Sequence, residues 1–414
     1  MKPPRHHPAF PMNPNPPLPN FPAQTTRRNF LKRTLAASLL LGAAGWTKLK
    51  AAAPTARVLE VRVISHQPDL YHGWPTVARR SNGDLWLVYS GGREGHVCPF
   101  GRVELMISKD QGQTWGWPQV LLDTAIDDRD AGVIETPKKA MLVTTFTSLA
   151  YDTEAFRKAL EGAAGTTGTW PQERLNRWRA AHERLTAGQR NALLGHWMIR
   201  SPDGGVTWSA VYPSLVNSPH GPFVLANGQL LYAGKKLWTD KQRVGVCRST
   251  DDGLSWQWLA EIPARPGDDY QQYHELHGLE VNPNRLLVHI RNHNSQNRFE
   301  ILQTESTDGG VTWSVPHPIG VWGLPSHLLR LRDGRLLMTY GYRRAPFGNQ
   351  ARLSEDGGKT WSPPMTLSGD GSNADLGYPS TVELPDGLLL TIWYEVMAGS
   401  NKAVLRQARW RLET

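Results

Sequence analysis

The segment Ser306-Thr-Asp-Gly-Gly-Val-Thr-Trp313 is one of five copies of a single pattern, Ser-x-Asp-x-Gly-x-Thr/Ser-Trp. The other copies occupy residues 108–115, 201–208, 249–256 and 354–361. The pattern suits a tight hairpin, because the Asp carboxylate can bond turn amides, the Gly can take a positive φ and the Trp can pack on a neighbouring sheet. The copies start 93, 48, 57 and 48 residues apart. Since one four-stranded propeller blade is about 50 residues long, the spacing predicts an all-β propeller.

A second repeat predicts the number of blades. A hairpin that leads into a Leu-rich strand occurs six times, with turn residues Gly83, Lys139, Gly228, Asn284, Gly334 and Gly387. We therefore predict a six-bladed β-propeller over residues 54–414. The sixth copy lacks an Asp motif, whereas residues 58–65 alternate like a lone strand. This N-terminal strand is expected to complete blade six, so that no sheet edge stays open between the ends.

The register of the second repeat predicts which residues share one end of the ring. Nine positions before the six turn residues stand Trp74, Asp130, Pro219, Glu275, Pro325 and Tyr378. The returning strands reach the same end at Arg93, Lys235, Lys236, Arg291, Arg343 and Glu395. Four histidines belong to this end as well, namely His72, His220, His277 and His327. The Asp motifs belong to the opposite hairpins, so the predicted site lies in the central depression of the other face.

Charge and cysteine content exclude several functions. The chain has a formal net charge of +9, but residues 1–53 hold eight basic side chains and no acidic one. The rest carries 38 basic against 37 acidic side chains, which is not the charge of a nucleic-acid binder. The two cysteines, Cys98 and Cys247, are too few for a disulfide framework or a Cys-based zinc site, and we predict two unpaired thiols.

The N-terminal 53 residues are interpreted as a Pro-rich leader with a twin-arginine export signal. Thr26-Arg27-Arg28-Asn29-Phe30-Leu31-Lys32 precedes an apolar run at 35–46, and Ala51-Ala52-Ala53 follows as at a cleavage site. The run is shorter than the roughly 20 residues of a spanning helix. A basic segment before a membrane anchor is the alternative. We expect a soluble mature protein that begins near residue 54 and is periplasmic or secreted.

With these residues in register, residues 60–412 resemble the sialidase superfamily. The resemblance rests on the five Asp boxes and six blades, and on Glu275, Arg291, Tyr340-Gly-Tyr-Arg343, Tyr378 and Tyr394-Glu395. In that family three arginines grip a sugar carboxylate, a Tyr paired with a Glu is the nucleophile, and an Asp of the first blade is the acid/base. The resemblance implies that Tyr378 is the nucleophile, Glu275 its base, and Arg291 and Arg343 the second and third arginines. It also matches Arg93 to the arginine that closes the second strand of blade one, and Glu395 to the glutamate that steadies the first arginine.

Two positions depart from the family pattern. Gly73-Trp74-Pro75 stands where the family has Arg-Ile-Pro, so the first arginine is absent, and the loop 94–102 contains no Asp. The missing proton is expected from the imidazole of His96 or from the carboxyl group of Asp130 or Glu94.

Other polar and aromatic residues are expected to contact the sugar. Neutral His72, His220, His277 and His327 could bind hydroxyl groups, and Trp74, Trp238 and Trp322 could offer stacking faces. The histidines show no tight metal-ligand motif, and we expect neither a metal nor a cofactor.

A segment of blade two predicts helices. Residues 154–161 and 171–185 repeat apolar side chains near a spacing of 3.6, within an insertion at about 152–195. The insertion is expected to overhang the depression as a lid or subsite wall, to form an oligomer contact, or to pack as an ornament on the rim.

The sequence thus favours an exported exo-glycosidase that acts on a terminal acidic sugar of a glycan or glycoconjugate. By resemblance the sugar is α-linked sialic acid, released with retention of configuration through Tyr378. The alternatives are a glycosidase for another sugar, such as a uronic acid or deoxysugar, and a non-catalytic glycan-binding propeller.

Overall fold

A computed structural model describes residues 52–162, 170–239 and 241–414. The predicted leader, residues 1–53, lies outside these residues apart from its last two. From Ala53 onward the chain forms one compact unit of six four-stranded antiparallel sheets, which confirms the predicted six-bladed β-propeller.

In blades one to five the strands run in chain order from the inner to the outer position, and in blade six the first strand of the chain takes the outer position. Blade one contains β2 (Tyr71–Arg79), β3 (Leu85–Arg93), β4 (Arg102–Ser108) and β5 (Gln119–Leu122). Blade two contains β6 (Asp127–Glu135), β7 (Met141–Ser148), β8 (His196–Ser201) and β9 (Tyr212–Pro213). Blade three contains β10 (Phe223–Val224), β11 (Leu230–Lys235), β12 (Val244–Ser249) and β13 (Gln257–Glu261). Blade four contains β14 (Tyr273–Asn282), β15 (Arg285–Asn292), β16 (Glu300–Ser306) and β17 (His317–Trp322). Blade five contains β18 (Ser326–Arg330), β19 (Leu336–Tyr342), β20 (Gly348–Ser354) and β21 (Met365–Ser368). Blade six contains β22 (Leu376–Glu383), β23 (Leu389–Val396), β24 (Ala403–Glu413) and β1 (Thr55–Val63).

The ring closes in blade six. The first strand of the chain, β1, pairs antiparallel with the last strand, β24, from Thr55 opposite Glu413 to Val63 opposite Arg406. The predicted closure is therefore confirmed. Pairing the two ends removes a sheet edge that would otherwise be open to another chain.

The hydrophobic core lies between blades. One cluster joins Trp86 and Val88 of blade one to Ala131 and Val133 of blade two, and all four side chains are buried. The strands of a blade are therefore buried on both faces, and near-continuous apolar runs such as that of β23 replace the alternation of a half-exposed sheet.

The Asp motifs form the turns between the third and fourth strands. In the first copy, Asp110 Oδ1 accepts hydrogen bonds from the Ser108 hydroxyl at 2.7 Å and the Thr114 amide at 2.9 Å, and Oδ2 accepts one from the Thr114 hydroxyl at 2.6 Å. The indole of Trp115 donates to Gln407 of blade six at 2.9 Å. The motif thus stabilises its own turn and ties its blade to the neighbour.

Three helices lie between β7 and β8 of blade two. They are α1 (Glu154–Leu160), α2 (Gln172–Glu183) and α3 (Ala187–Ala192). The first two overlap the segments predicted as helical, and the third was not predicted. Apolar side chains of α1 and α2 pack with Cys98 and its neighbours in the loop between β3 and β4. Both cysteines are buried and unpaired, as predicted.

Within the described part of the chain, no helix is both long enough and apolar enough to span a membrane.

Candidate active site

The innermost strands carry a shared irregularity at one end of the ring. Pairing with the second strand shifts register between residues 73 and 76 in blade one, 129 and 132 in blade two, 274 and 277 in blade four, and 377 and 380 in blade six. Each shift contains one non-glycine residue with a positive φ: Trp74 at 53°, Asp130 at 47°, Glu275 at 44° and Tyr378 at 53°. Such backbone costs on the order of 1–3 kcal/mol per residue and clusters at functional sites. These four residues occupy four of the six equivalent positions that the sequence register aligned.

Three of the predicted residues meet in one hydrogen-bonded group. The phenol of Tyr378 donates to Glu275 Oε1 at 2.5 Å, and Arg291 Nη1 donates to Glu275 Oε2 at 2.5 Å and to the Tyr378 oxygen at 3.0 Å. Burial raises the pKa of Tyr378 well above its usual value, as does the nearby Glu275 carboxylate, while Arg291 opposes the shift. The phenol is therefore neutral at rest, with a carboxylate in place to take its proton.

Arg343 completes the cationic side of this group. Its Nε donates to the Leu376 carbonyl at 3.0 Å, and its guanidinium carbon lies 5.8 Å from the centroid of the Tyr378 ring. Two guanidinium groups, those of Arg291 and Arg343, thus lie beside the same phenol.

Asp130 lies next to this group. It is buried, and its Oδ1 has no hydrogen-bond partner among the described residues. Burial raises the pKa of Asp130 to about 7; the Arg129 guanidinium lowers it and the Glu275 carboxylate raises it. The residue is a protonatable acid on the Glu275 side of the site.

Trp74 forms the centre of an aromatic cluster. Its ring lies 5.1 Å from His96, 5.7 Å from Tyr394 and 6.4 Å from Tyr378, centroid to centroid. Arg129 and Arg93 place their guanidinium carbons 4.4 and 4.9 Å from the indole centroid. Because only 1% of Trp74 is exposed, the expectation that it offers a stacking face to a sugar was wrong.

Of a second polar group, the sequence analysis named only His96 and Tyr394. Asp375, in the loop before β22, accepts hydrogen bonds from the Tyr71 phenol at 2.9 and 3.0 Å and from the Tyr394 phenol at 3.2 Å. His96 Nδ1 lies 2.9 Å from Asp375 Oδ1. Tyr71 pairs with Arg93, which the register had assigned to the end of the ring that carries the site. Extending the same register to β2 would therefore have placed Tyr71 at that end.

Three other predicted contacts with substrate are not supported by the geometry. Arg93 is fully buried and makes a bidentate ion pair with Asp127 at 2.6 and 3.0 Å. Glu395 is buried against Arg406, on the opposite side of β23 from Tyr394. His72 is buried with its ring 5.4 Å from that of Tyr89, centroid to centroid. These side chains contact blade interiors rather than the depression.

The remaining three histidines meet in the central channel. The ring centroids of His220, His277 and His327 are separated by 4.6 to 5.2 Å. They border a cavity of about 340 Å³ that extends to Arg79 and Arg330 at the far ends of β2 and β18. The three rings therefore line the central channel together.

Glu94, one of the three expected proton donors, points away from the depression. Its carboxylate accepts hydrogen bonds from Arg177 Nε and from the Trp178 indole of α2, both at 2.8 Å. It anchors the loop that carries His96 to the helices instead.

The other predicted rim residues surround the depression. Lys235 is buried, and its Nζ donates to the Gln271 carbonyl at 2.6 Å. Burial lowers the pKa of Lys235 to about 8. Trp238 is 43% exposed, and Trp322 packs edge-on against Tyr342 with ring centroids 5.7 Å apart. Among the described residues, no group of three or more His, Cys, Asp or Glu side chains could hold a metal ion.

Comparison with known proteins agrees with this architecture. A sialidase of Micromonospora viridifaciens is 27% identical over 157 residues, an alignment that covers 34% of this chain and 23% of that protein. A protein of unknown function from Dyadobacter fermentans superposes with a TM-score of 0.66 at 22% identity, covering 86% of this chain and 99% of that one. The intramolecular trans-sialidase of Ruminococcus gnavus superposes with a TM-score of 0.59 at 15% identity, covering 85% and 97%. At these identities the superpositions establish the fold.

The family of BNR repeat-like domains matches residues 183–391, which is half of the chain. This span contains four of the five Asp boxes together with Glu275, Arg291 and Tyr378. The chain belongs to the family of BNR repeat-like domains and folds as a sialidase-like Asp-box propeller.

Proposed function

We propose that this protein is a retaining exo-glycosidase that releases a terminal acidic sugar, most simply an α-linked sialic acid, through a covalent Tyr378 adduct. The observation that supports the proposal is the 2.5 Å hydrogen bond from the Tyr378 phenol to Glu275, with Arg291 bonded to both side chains.

A neutral phenol is a reasonable nucleophile for an anionic sugar. A carboxylate nucleophile would be repelled by the carboxylate of the substrate, whereas a phenol is not repelled and gains nucleophilicity as its proton moves to Glu275. The Tyr378 oxygen attacks the anomeric carbon, and the electron pair of the glycosidic bond goes to the leaving oxygen, which needs a proton. Water then attacks the adduct, and the phenol recovers its proton from Glu275.

The charge of the site supports an anionic substrate. Arg291 and Arg343 flank Tyr378, and guanidinium groups suit a carboxylate because they can donate two parallel hydrogen bonds. Trp74 occupies the position of the first arginine of the family. For a site with two arginines, the second candidate substrate is a glycoside of a uronic acid.

Release of a fluorophore from an α-linked sialoside tests the proposal. Tyr378→Phe should lower kcat/KM by about 1,000-fold or more, because the nucleophile is lost. Tyr270→Phe is the matched control, since that phenol bonds the Lys241 carbonyl outside the Tyr378 group. A wild-type protein that binds sialosides but never turns them over would instead support a glycan-binding propeller. Turnover of uronides alone would move the proposal to that sugar.

We also propose that the protein is exported through its twin-arginine motif, with the mature chain beginning near residue 54. Replacing Arg27 and Arg28 together by Lys should retain the protein in the cytoplasm, as measured by immunoblotting of cell fractions. Unchanged export of this variant would contradict the assignment.

A further inference from the structure

His96 stands in the loop between β3 and β4, and its ring and the Tyr378 ring both pack edge-on against Trp74. Its side chain keeps 47% of its surface exposed, although it contacts the buried Trp74 ring edge-on at 5.1 Å. Tyr378 lies 6.4 Å from the same indole, centroid to centroid. The imidazole and the phenol therefore approach one depression from two sides, as an acid and a nucleophile must.

The hydrogen bonds of the imidazole determine which nitrogen faces the depression. Nδ1 lies 2.9 Å from Asp375 Oδ1 and 2.9 Å from the Tyr71 oxygen. Because the Tyr71 phenol donates to Asp375, the proton between His96 and Asp375 is assigned to Nδ1. Nε2 has no hydrogen bond to any described residue and is left to act on a ligand.

Hydrogen bonds from three parts of the chain fix the loop that carries His96. Arg93 Nη2 donates to the His96 carbonyl at 2.8 Å, and the Lys402 ammonium donates to the Glu94 carbonyl. The Glu94 carboxylate is bound by Arg177 and Trp178 of α2 at 2.8 Å each. The helices of blade two thus help to fix the position of an imidazole that belongs to blade one.

We propose that His96 is the general acid and base of the glycosidase and that Asp375 is its positioning residue. This inference rests on the proposed function. In the first step Nε2–H gives its proton to the glycosidic oxygen while the bond from that oxygen to the anomeric carbon breaks and the bond to the Tyr378 oxygen forms. In the second step neutral Nε2 takes a proton from the water that attacks the anomeric carbon, and Tyr378 leaves with the proton held by Glu275. Proton and electron pair balance over the two steps.

The surroundings of Asp130 make it the weaker candidate. Asp130 is 6% exposed and lies beside Glu275 and Arg291, which contact the proposed nucleophile Tyr378. By contrast, the His96 side chain keeps 47% of its surface exposed, so a leaving group can reach it.

The charged groups around His96 predict how activity depends on pH. Burial lowers the pKa of His96, the hydrogen bond and charge of Asp375 raise it, and the Arg129 and Arg93 guanidinium groups lower it. The Tyr71 phenol is neutral, because burial raises its pKa well above 10. The balance lies below 6.5, so the protonated imidazole that the first step needs is present only in acid. Turnover should fall as pH rises through the pKa of His96.

Two substrates with different leaving groups test the role of His96. His96→Ala should lower kcat/KM for a sialyl disaccharide by about 100- to 10,000-fold, which is the usual contribution of a general acid. For an aryl sialoside, His96→Ala should lower the rate constant of the first, adduct-forming step by much less, because a phenolate leaves without a proton. Single-turnover measurements isolate that step. His317→Ala is the matched control, since His317 is also about half exposed and lies 3.9 Å from Glu305 on the outer edge of blade four.

Asp375→Asn tests the positioning role. The pH midpoint at which activity is lost, assigned to His96, should fall by about one pH unit, because the substitution removes an anion that raises the pKa of His96. Asp375→Glu should restore part of the shift. A loss of rate with an unmoved pH midpoint would overturn the role of Asp375.

The two proposals fail in different ways. If the wild type turns over no glycoside of an acidic sugar, the proposed function and this inference both fall. If the wild type is active and Tyr378→Phe is not, equal losses for both leaving groups in His96→Ala would overturn the inference alone. An NMR titration of His96 needs no turnover, and a pKa that is the same in the wild type and in Asp375→Asn would overturn the pairing.

Discussion

The two ends of the propeller differ in how strictly they repeat, because the five Asp-box turns are nearly identical and the six inner-strand positions at the other end are not. In the Asp-box turns, five Asp side chains accept the same three hydrogen bonds, from Ser, from a backbone amide and from a Thr or Ser hydroxyl. At the other end, six equivalent inner-strand positions carry Trp, Asp, Pro, Glu, Pro and Tyr. Repetition therefore specifies the fold, and departure from repetition specifies the site.

The largest expected effect is on turnover at the divergent end. Glu275→Gln removes the base for Tyr378 and keeps the volume of the side chain, so kcat should fall by about 1,000-fold. Because Arg291 loses its carboxylate partner, the unfolding midpoint should also fall, but by far less than the loss of rate would require. Steady-state kinetics and urea denaturation of the same preparation check both halves. A variant that loses stability in proportion to rate would contradict the comparison.

Restoring the first arginine of the family should destabilise this protein. Trp74→Arg would place a third guanidinium beside those of Arg93 and Arg129, in a position where only 1% of the residue is exposed. We expect a loss of about 3 kcal/mol or more in the free energy of unfolding, since a buried charge without a partner is strongly unfavourable. Urea denaturation measures it.

Trp74→Phe is the control for that experiment, because it keeps an aromatic face for both guanidinium groups. Equal stability of the two variants would show that the position tolerates charge and that the site can accept a third arginine.

The channel between the two ends should limit stability in acid. Burial lowers the pKa of His327 to about 3, and its ring stacks on His277 with centroids 4.6 Å apart. A histidine whose folded pKa is below its unfolded value of 6.5 destabilises the fold as pH falls from 6.5 toward 3. His327 should therefore cost about 2 kcal/mol at pH 5 relative to pH 8.

In His327→Gln the free energy of unfolding should depend less on pH over that window, whatever the variant costs at neutral pH. Chemical denaturation at several pH values gives the slope. An unchanged slope would mean that the imidazole is not the source of the acid sensitivity.

The smallest expected effect is at a single Asp box. Asp110→Ala removes three hydrogen bonds from one exposed turn, and we expect a loss of about 1 kcal/mol in stability with kcat unchanged. Lys109→Ala, at the adjacent exposed position, is the control. A change in kcat would show that the two ends are coupled.

The repeats were sufficient to predict the blades. The six turn residues from Gly83 to Gly387 all have a positive φ, including Lys139 and Asn284, and the ring closes where the missing sixth Asp box indicated. Tyr378, Glu275 and Arg291 were brought together by counting from those turns. The count locates all three at one end of the ring, although Glu275 and Tyr378 themselves lie in register shifts.

The side on which a side chain points was less predictable. A residue slip in a strand exchanges the two faces, and the inner strands contain a register shift that no local pattern announces. In β23, which has no such shift, neighbouring side chains alternate, so Tyr394 faces the site and Glu395 faces Arg406. Asp375 lies in a loop and acquires its partner Tyr71 from 304 positions away in the sequence, a contact that neither spacing nor periodicity carries.

The pairing of β1 with β24 has a consequence for synthesis of the protein. The strand that opens the propeller, residues 55–63, must wait for residues 403–413 before its neighbour exists. Blade six is therefore expected to assemble last on the ribosome, and contacts so distant in sequence form slowly. Until then Tyr378 and Asp375, which belong to blade six and the loop that precedes it, have no fixed position relative to blade one. We therefore expect the protein to become active only when β1 pairs with β24 and the ring of blades closes.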